Sequence, residues 1–419
     1  MKELIVTDFS VIGSAHLSLR RLTVLVGPQA SGKSLLSKLC YFFLELLPDQ
    51  DAFLTDGRSF GDFKEHIKEK FMKWFPSSAW GNGKFMIEFR GGEFKIRLTR
   101  MGYRGKSLDR VRIWTSDFFE EQYHFVLESV RTKLAEQERS DRRPPFTLMW
   151  DVQKETATRF AHGMGRDYVG FQLFVPAGRS FFTNLGKAIT AFEHGQILDP
   201  LTVQFGRLVS SRRADSYSRS ADDSFWRRSQ ALVEVVLGGR VKTARGEEYV
   251  ETKDGRKIPF FALSSGQQEL LPLWQSFKLL SFLHERTILL YIEEPEAHLF
   301  PSAQSKLMEF MGGFISHRET IDLVITTHSP YVLSKINNML KAGALARHYP
   351  EKIREIDRVV PRHAWLVPDD VGPFAIHDGR LMRIMDEECL IDASYLDEVS
   401  GDIAREFSKL LEIEIAADG

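Results

Sequence analysis

Residues Gly27-Pro28-Gln29-Ala30-Ser31-Gly32-Lys33-Ser34 carry the pattern G-x4-G-K-[ST]. Such a loop does chemistry only between an apolar strand and a helix. Here the run Leu22 to Val26 precedes it and a helix-like run from Lys33 to Leu47 follows. Its glycines let the backbone wrap a phosphate, while successive N–H groups and the helix N-terminus point at the anion. Lys33 can then reach the β- and γ-phosphates of a nucleotide, and Ser34 can ligate Mg²⁺. Gly27, Gln29, Ala30, Ser31, Gly32, Lys33 and Ser34 are therefore the expected nucleotide contacts, with ATP and Mg²⁺ as cofactors. A glycine turn formed by accident is the alternative, and the strand-loop-helix setting speaks against it.

A second apolar run, Thr287 to Pro295 (TILLYIEEP), ends in two adjacent carboxylates. Successive side chains on a strand point to opposite sides, so the two acids are expected to divide the work. Glu293 is assigned to magnesium and Glu294 to the general base that activates water. Taken alone, EEPE would serve equally as the acidic start of a helix opened by Pro295 or Pro301. A phosphate loop about 260 positions earlier favours the catalytic reading.

Two further segments narrow the class. Leu263-Ser264-Ser265-Gly266-Gln267 precedes an apolar helix, and a strand from Leu323 to Thr326 runs into Thr327-His328-Ser329-Pro330. Backbone amides of Ser264, Ser265 and Gly266 at a helix start would form a second anion site. By itself each segment has a plainer reading, an N-cap serine or a polar histidine at a strand end. The order loop, LSSGQ, acidic strand, histidine joins them into one pattern.

With these residues in place, LSSGQ resembles the LSGGQ signature of ABC-type ATPases, in which the signature of one subunit closes over the γ-phosphate held by another. Adding EEPEAHL (Glu293 to Leu299), TTHSPYVLS (Thr326 to Ser334) and VPAGRS (Val175 to Ser180), the chain is similar to the RecF, SMC and OLD class. Within it, the chain looks most like the stand-alone or TOPRIM-partnered ATPases of bacterial anti-phage defence, such as those of PARIS-type systems. The matching segments cover about a third of the chain, mostly residues 1–45 and 260–335.

The resemblance implies an α/β fold of P-loop, ABC-ATPase type with an N-terminal β-meander lobe and a helical insertion. It implies ATP hydrolysis with Glu294 and His328 as catalytic residues. It also implies a homo-oligomer, an ATP-sandwich dimer or a larger ring, in which Ser264, Ser265 and Gly266 complete a neighbour's site. A separate TOPRIM-like nuclease would be the effector, and a phage protein or DNA the trigger. The rival reading is a RecF-like DNA-binding repair ATPase. A transporter ATPase fits the EEPEAHL wording poorly.

Departures from the family refine this. Glu293 stands where many ABC proteins have Asp, a variant common in the OLD-like branch. About 230 residues separate Lys33 from Ser264, without a heptad run, too few for a long SMC-type coiled coil. No DxD pair follows His328, so a nuclease is expected on another polypeptide. The glutamine of the family's Q-loop stays open among Gln122, Gln172 and Gln204.

The remaining sequence must position these residues. Lys84 to Arg100 alternates apolar and polar residues around Gly91-Gly92, a hairpin signal, and Asp254-Gly255 marks another. Phe118 to Glu138 reads as helix, broken at Arg139 to Pro145, and Phe171 to Val175 reads as a strand ended by Pro176. The expected division is an ATPase lobe over 1–110, a mainly helical insertion over 111–260, a second ATPase lobe over 261–345 and a C-terminal extension over 346–419.

Arg179 could sense phosphate or an opposite subunit, or form a structural salt bridge. Ser210 to Ser229 interleaves Arg and aromatic residues. That strip reads either as a nucleic-acid surface or as a solvated loop before an amphipathic helix. Arg142 and Arg143 read as linker.

Composition excludes several classes. The chain has 419 residues, 43% hydrophobic and 27% charged, and so is neither fibrous nor disordered. Lys plus Arg (56) balances Asp plus Glu (57), which excludes histone-like binding. Cys40 and Cys389 offer neither a disulfide framework nor a zinc ribbon and read as inert thiols. Early acids at Glu3 and Asp8 interrupt any signal peptide, and no apolar run reaches membrane-spanning length, so a cytoplasmic protein without membrane contact is expected.

Overall fold

In the computed structural model, strand β3 (Leu22–Val26) is buried along its whole length inside an eleven-stranded sheet. The structure describes residues 1–81, 83–100, 111–140, 147–185, 198–212, 224–244, 247–283 and 286–392, with 405–406 and 409–410. The chain opens with the antiparallel pair β1 (Glu3–Phe9) and β2 (Ile12–Ser18). After β3 come helices α1 (Lys33–Thr55) and α2 (Phe60–Trp74), then the meander β4 (Phe85–Gly91), β5 (Phe94–Arg100) and β6 (Val111–Thr115). The helices α3 (Asp117–Ser140) and α4 (Thr147–Met164) lead to β7 (Phe171–Val175), followed by α5 (Ser180–Leu185), α6 (Pro200–Arg212) and α7 (Ser224–Leu237). A small antiparallel sheet, β8 (Gly239–Ala244), β9 (Glu247–Thr252) and β10 (Lys257–Pro259), precedes α8 (Ser265–Leu280). The chain ends its described core with β11 (Ile288–Glu293), α9 (Pro301–His317), β12 (Ile321–Thr327), α10 (Pro330–His348), α11 (Ile353–Val359), β13 (Val371–His377) and β14 (Arg380–Arg383).

The large sheet runs β6-β5-β4-β1-β2-β14-β13-β3-β12-β11-β7. Its first part is an antiparallel meander, and β13, β3, β12, β11 and β7 are mutually parallel. The late strand β14 joins the halves, antiparallel to β13 and bridged to β2 at Arg380 and Ser14. Two strands from the region after residue 346 thus lie inside the sheet, β13 directly beside β3 and β14 between β13 and β2.

Alternation assigns the two faces. Leu25, Leu289, Tyr291 and Val324 pack with α1, α3 and α4, whereas Leu22, Val24, Ile288, Leu290, Leu323 and Ile325 pack with α8, α9 and α10. A period of two therefore puts Glu293 in the row of Leu289 and Tyr291, on the α1 side. Edge-to-face contacts among Phe9, Phe42, Phe71, Phe75, Trp80 and Phe85 fill the space between α1, α2 and the meander.

Helix α1 extends beyond the expected Leu47, through Pro48 to Thr55. Pro48 sits on its exposed side, and the turns beyond bury Gln50, Asp51 and Leu54, so packing sustains a helix that proline disfavours. The first hairpin turns at Gly92-Glu93, with Gly91 still paired to Phe94.

Gly92 has φ +55, and a Cβ there would lie 2.5 Å from the Gly163 carbonyl oxygen and 2.7 Å from Met164 Cα. Both neighbours are backbone and cannot yield. Gly92→Ala is expected to cost about 2 kcal/mol or more in urea denaturation, left-handed strain plus overlap. Gly255 also has positive φ but faces open space, so Gly255→Ala should cost only about 1 kcal/mol.

Candidate functional site

The parallel ladder aligns the strand ends. Val26 pairs with Thr327 and Ala375, Glu293 with Thr326, and Ile292 with Val175. Gly27, Glu293, His328 and Pro176 consequently leave the sheet along one edge, the carboxyl end at which open α/β sheets bind ligands.

At that edge the loop from Gly27 to Ser34 closes tightly. Gly27 has φ +153 and Gly32 φ +104, and Ala30 also takes positive φ. A Cβ on Gly27 would meet the Ile376 carbonyl and Ser31 Oγ at 2.9 Å, and one on Gly32 would meet Ile12 Cδ1 at 2.5 Å. Gln29, Ala30 and Ser34 are exposed, whereas Lys33 is buried and donates through Nζ to the carbonyls of Gly27 (2.8 Å) and Pro28 (2.7 Å). Burial pulls the Lys33 ammonium below its ordinary pKa, against the opposing pull of Glu294, Glu296 and Glu293. The loop lysine and these carboxylates therefore share one electrostatic site.

Glu293 accepts from the Ala177 N–H through Oε2 (3.1 Å), while its buried Oε1 has no partner. Glu294 leaves the strand in a left-handed conformation, φ +42, with its N–H donating to the Thr326 carbonyl (3.0 Å). Its Oε1 lies 3.2 Å from His328 Nε2, and both side chains are partly exposed, 38% and 30%. A carboxylate facing outward beside a histidine can take a proton from water. One turning inward with a free oxygen suits a cation.

Glu296, the third acid of EEPEAHL, has a role that its position in the sequence does not assign. Its buried carboxylate accepts from Thr327 Oγ1 and from the His328 N–H (3.0 Å), fastening the histidine to the turn. The signal was its place four residues before Phe300 in a phrase with two other acids, but only the fold shows its direction.

These residues fit a magnesium ion. Among the described residues no cluster of three or more His, Cys, Asp or Glu forms a ready-made metal cage. Mg²⁺ is ordinarily held by one or two carboxylates together with substrate phosphates, and the unpartnered Glu293 Oε1 and the exposed Ser34 are donors of that kind.

The LSSGQ segment starts α8. Ser264 is its N-cap, with its N–H and Oγ both donating to Gln267 Oε1 (2.9 Å each), and Ser264 and Ser265 are exposed. Gly266 is buried, and a Cβ there would lie 2.5 Å from the His298 carbonyl. Among the described residues, no hydrogen bond or ion pair joins Ser264, Ser265 or Gly266 to residues 27–34. The structure thus brings Lys33, Glu293, Glu294 and His328 together, with the signature packed against the turn after β11 and making no bond to residues 27–34.

Arg179 is 0% exposed, and its guanidinium donates to backbone carbonyls of α8 and of the turn after β11. Of the two readings of Arg179, direct contact with phosphate or an opposite subunit gives way to bonding within the chain, because a fully enclosed fork reaches neither. The three candidate glutamines are engaged elsewhere. Gln122 accepts from Arg159, Gln204 accepts from the Tyr41 hydroxyl, and Gln172 donates to the Tyr41 carbonyl and to Glu45. Of the basic strip, residues 213–223 lie outside the described residues, as do Arg142 and Arg143. Cys40 is buried and Cys389 exposed, and among the described residues no helix is long and apolar enough to cross a membrane.

Fold and site define an α/β protein in which a G-x4-G-K-[ST] loop joins a buried parallel strand to a helix at the carboxyl edge of the sheet. The profile of the family described as "AAA domain, putative AbiEii toxin, Type IV TA system" matches residues 115–334, more than half of the chain, and the chain belongs to that family of ATPase domains. Among solved structures it is similar to an SMC head bound to the C-terminal winged-helix domain of ScpA (12% identity, TM-score 0.44, 92% of this chain and 98% of that one). It is also similar to the SMC head domain from Thermotoga maritima (13%, 0.38, 91% and 97%). A third is an SMC head with an extended coiled coil bound to the C-terminal domain of ScpA, from Pyrococcus furiosus (11%, 0.40, 97% and 100%). None of the curated proteins matches this sequence.

Lys33→Ala should abolish ATP binding measured by titration, since the point charge on the phosphates is lost. Glu294→Gln should bind ATP normally but hydrolyse it about 100-fold or more slowly, as expected when a general base is removed. Glu293→Gln should instead weaken Mg²⁺-dependent binding. Equal behaviour of the two glutamate variants would refute the division between them.

Proposed function

We propose that this chain is an ATP hydrolase whose nucleotide state is coupled to subunit assembly, acting as sensor and scaffold of an anti-phage defence system. One observation carries the reading: Lys33, Glu293, Glu294 and His328 converge at one sheet edge, while the exposed signature serines make no bond to that loop. A loop and a signature that make no bond to each other in one chain are complete when two copies face each other. ATP then lies between the phosphate loop of one subunit and Ser264, Ser265 and Gly266 of the other.

In this reading Lys33 exchanges the Gly27 and Pro28 carbonyls for the β- and γ-phosphates. Ser34 and Glu293 would hold Mg²⁺, which when bound would supply positive charge to the phosphates. Glu294 accepts the proton of the attacking water, and His328 Nε2, 3.2 Å away, orients that carboxylate. Glu296 keeps His328 in place through its N–H. The partner we propose is a separate TOPRIM-like nuclease, released or held by the assembly when a phage protein or DNA arrives. A defence role beside a second polypeptide accords with a family description that names a toxin of a type IV TA system.

Subunit mixing tests the trans arrangement. Ser264→Arg places a bulky side chain where a neighbour's phosphate must approach, and Lys33→Ala empties the loop, so each variant alone should be inactive. Mixed, they form one site with both parts intact, and about a quarter to a half of wild-type activity per mixed dimer should return. A concentration-independent, fully active monomer would remove the mechanism.

The purified chain alone should not cleave DNA or RNA in the presence of Mg²⁺ or Mn²⁺, since nuclease chemistry is placed on the partner. Cleavage that disappears on substitution of an acidic residue in this chain would overturn that placement.

A further inference from the structure

One side chain at the carboxyl edge of the sheet touches both the signature helix and the turn that presents Glu294. Arg179 Nε donates to the Glu269 carbonyl of α8 (3.0 Å). Its Nη1 donates to the carbonyls of Glu293 (2.9 Å) and Pro176 (3.4 Å), and its Nη2 to those of Glu294 and Pro295 (3.2 Å each). The Glu269 carboxylate supplies the countercharge, with Oε2 3.6 Å from Arg179 Nε and Oε1 accepting from the Ser180 N–H (3.1 Å).

That turn is strained. Glu294 and His298 both hold left-handed conformations, φ +42 and φ +59, which persist in non-glycine residues only where the surroundings over-determine them. A planar fork with several donors in fixed directions does so, since it binds three successive carbonyls from Glu293 to Pro295. The start of α8 lies on the same turn from outside, at the close approach of Gly266 to the His298 carbonyl.

We propose that Arg179 is a positioning residue that aims the Glu294 carboxylate and makes its position depend on the signature helix. This rests on the proposed role of Glu294 as general base. With the guanidinium shared between α8 and the turn, a shift of the signature helix on engaging a second copy moves the carbonyls that flank Glu294. The competing account is a staple whose loss weakens every property of the protein together.

Arg179→Lys keeps the charge but cannot serve the helix carbonyl and the turn carbonyls at once. In the full-length chain, its ATP Kd should stay within about twofold of wild type while kcat falls about tenfold or more, as for a misaimed catalytic group. In the Glu294→Gln background the same change should alter the residual rate less than about twofold, since Arg179 acts through the side chain already removed. Loss of ATP binding in step with kcat, or an equal fall in the Glu294→Gln background, would overturn the proposal in favour of the staple.

If Arg179→Lys fails to accumulate as folded protein, the isosteric Glu269→Gln carries the test. It disturbs the helix side of the clamp and leaves the turn carbonyls bonded. A several-fold lower kcat at unchanged ATP Kd is expected, and an unchanged kcat overturns the coupling. Wild-type hydrolysis by Glu294→Gln would reject the base assignment and the coupling with it. Slow hydrolysis by Glu294→Gln with normal kinetics in Arg179→Lys rejects the coupling alone.

Discussion

The site depends on the register of five parallel strands. A parallel ladder fixes where each strand stops relative to its neighbours, and here Val26, Glu293, Thr327 and Val175 stop at the same edge. Four of the segments that carry candidate site residues leave from those ends. The phosphate loop follows Val26, the acidic turn follows Glu293, the histidine follows Thr327 and the arginine segment follows Val175. A slip of one residue in β11 would turn Glu293 from the α1 face to the α8 face and destroy the pairing of roles.

That register is enforced from both sides. Each buried strand contributes alternate residues to two apolar clusters, so neither face can exchange with the other without exposing a row of Leu, Ile and Val. The backbone beyond the strands must be held too, since turns at a buried edge leave carbonyls without water. Arg179 answers the carbonyls of the acidic turn, and Lys33 answers those of Gly27 and Pro28. The two cations differ in kind. Arg179 is enclosed and makes bonds that no ligand reaches, whereas Lys33 holds carbonyls within its own loop that a phosphate can replace.

Glu293 and Glu294 show how two adjacent, chemically identical residues acquire different environments. Glu293 ends a regular strand, faces α1 and keeps one carboxylate oxygen unpartnered. Glu294 begins a left-handed turn, is more exposed and faces His328. The difference comes from one backbone dihedral and the position of a strand end, with no difference in the side chains.

The local readings came directly from the sequence because their causes are local. β3 and β7 have the limits expected from their apolar runs, since a fully buried strand is bounded by the residues that stop its burial. The strand-loop-helix around Gly27 to Ser34 could be read from glycine spacing, and the first hairpin could be located from its glycines, though it turns one residue later than Gly91-Gly92. Non-local matters could not be read in this way. No pattern announced that β13 and β14 insert between β2 and β3, with β13 beside β3 where the Ile376 carbonyl closes against Gly27, because strand order depends on which edges meet after the chain has folded back. Nor could spacing say that Arg179 would turn inward to the carbonyls of α8 and the acidic turn, or that Glu296 would hold His328. Sequence determines which groups are present and how each element is built. Tertiary packing alone decides which buried carbonyls and carboxylates are left for those groups to satisfy.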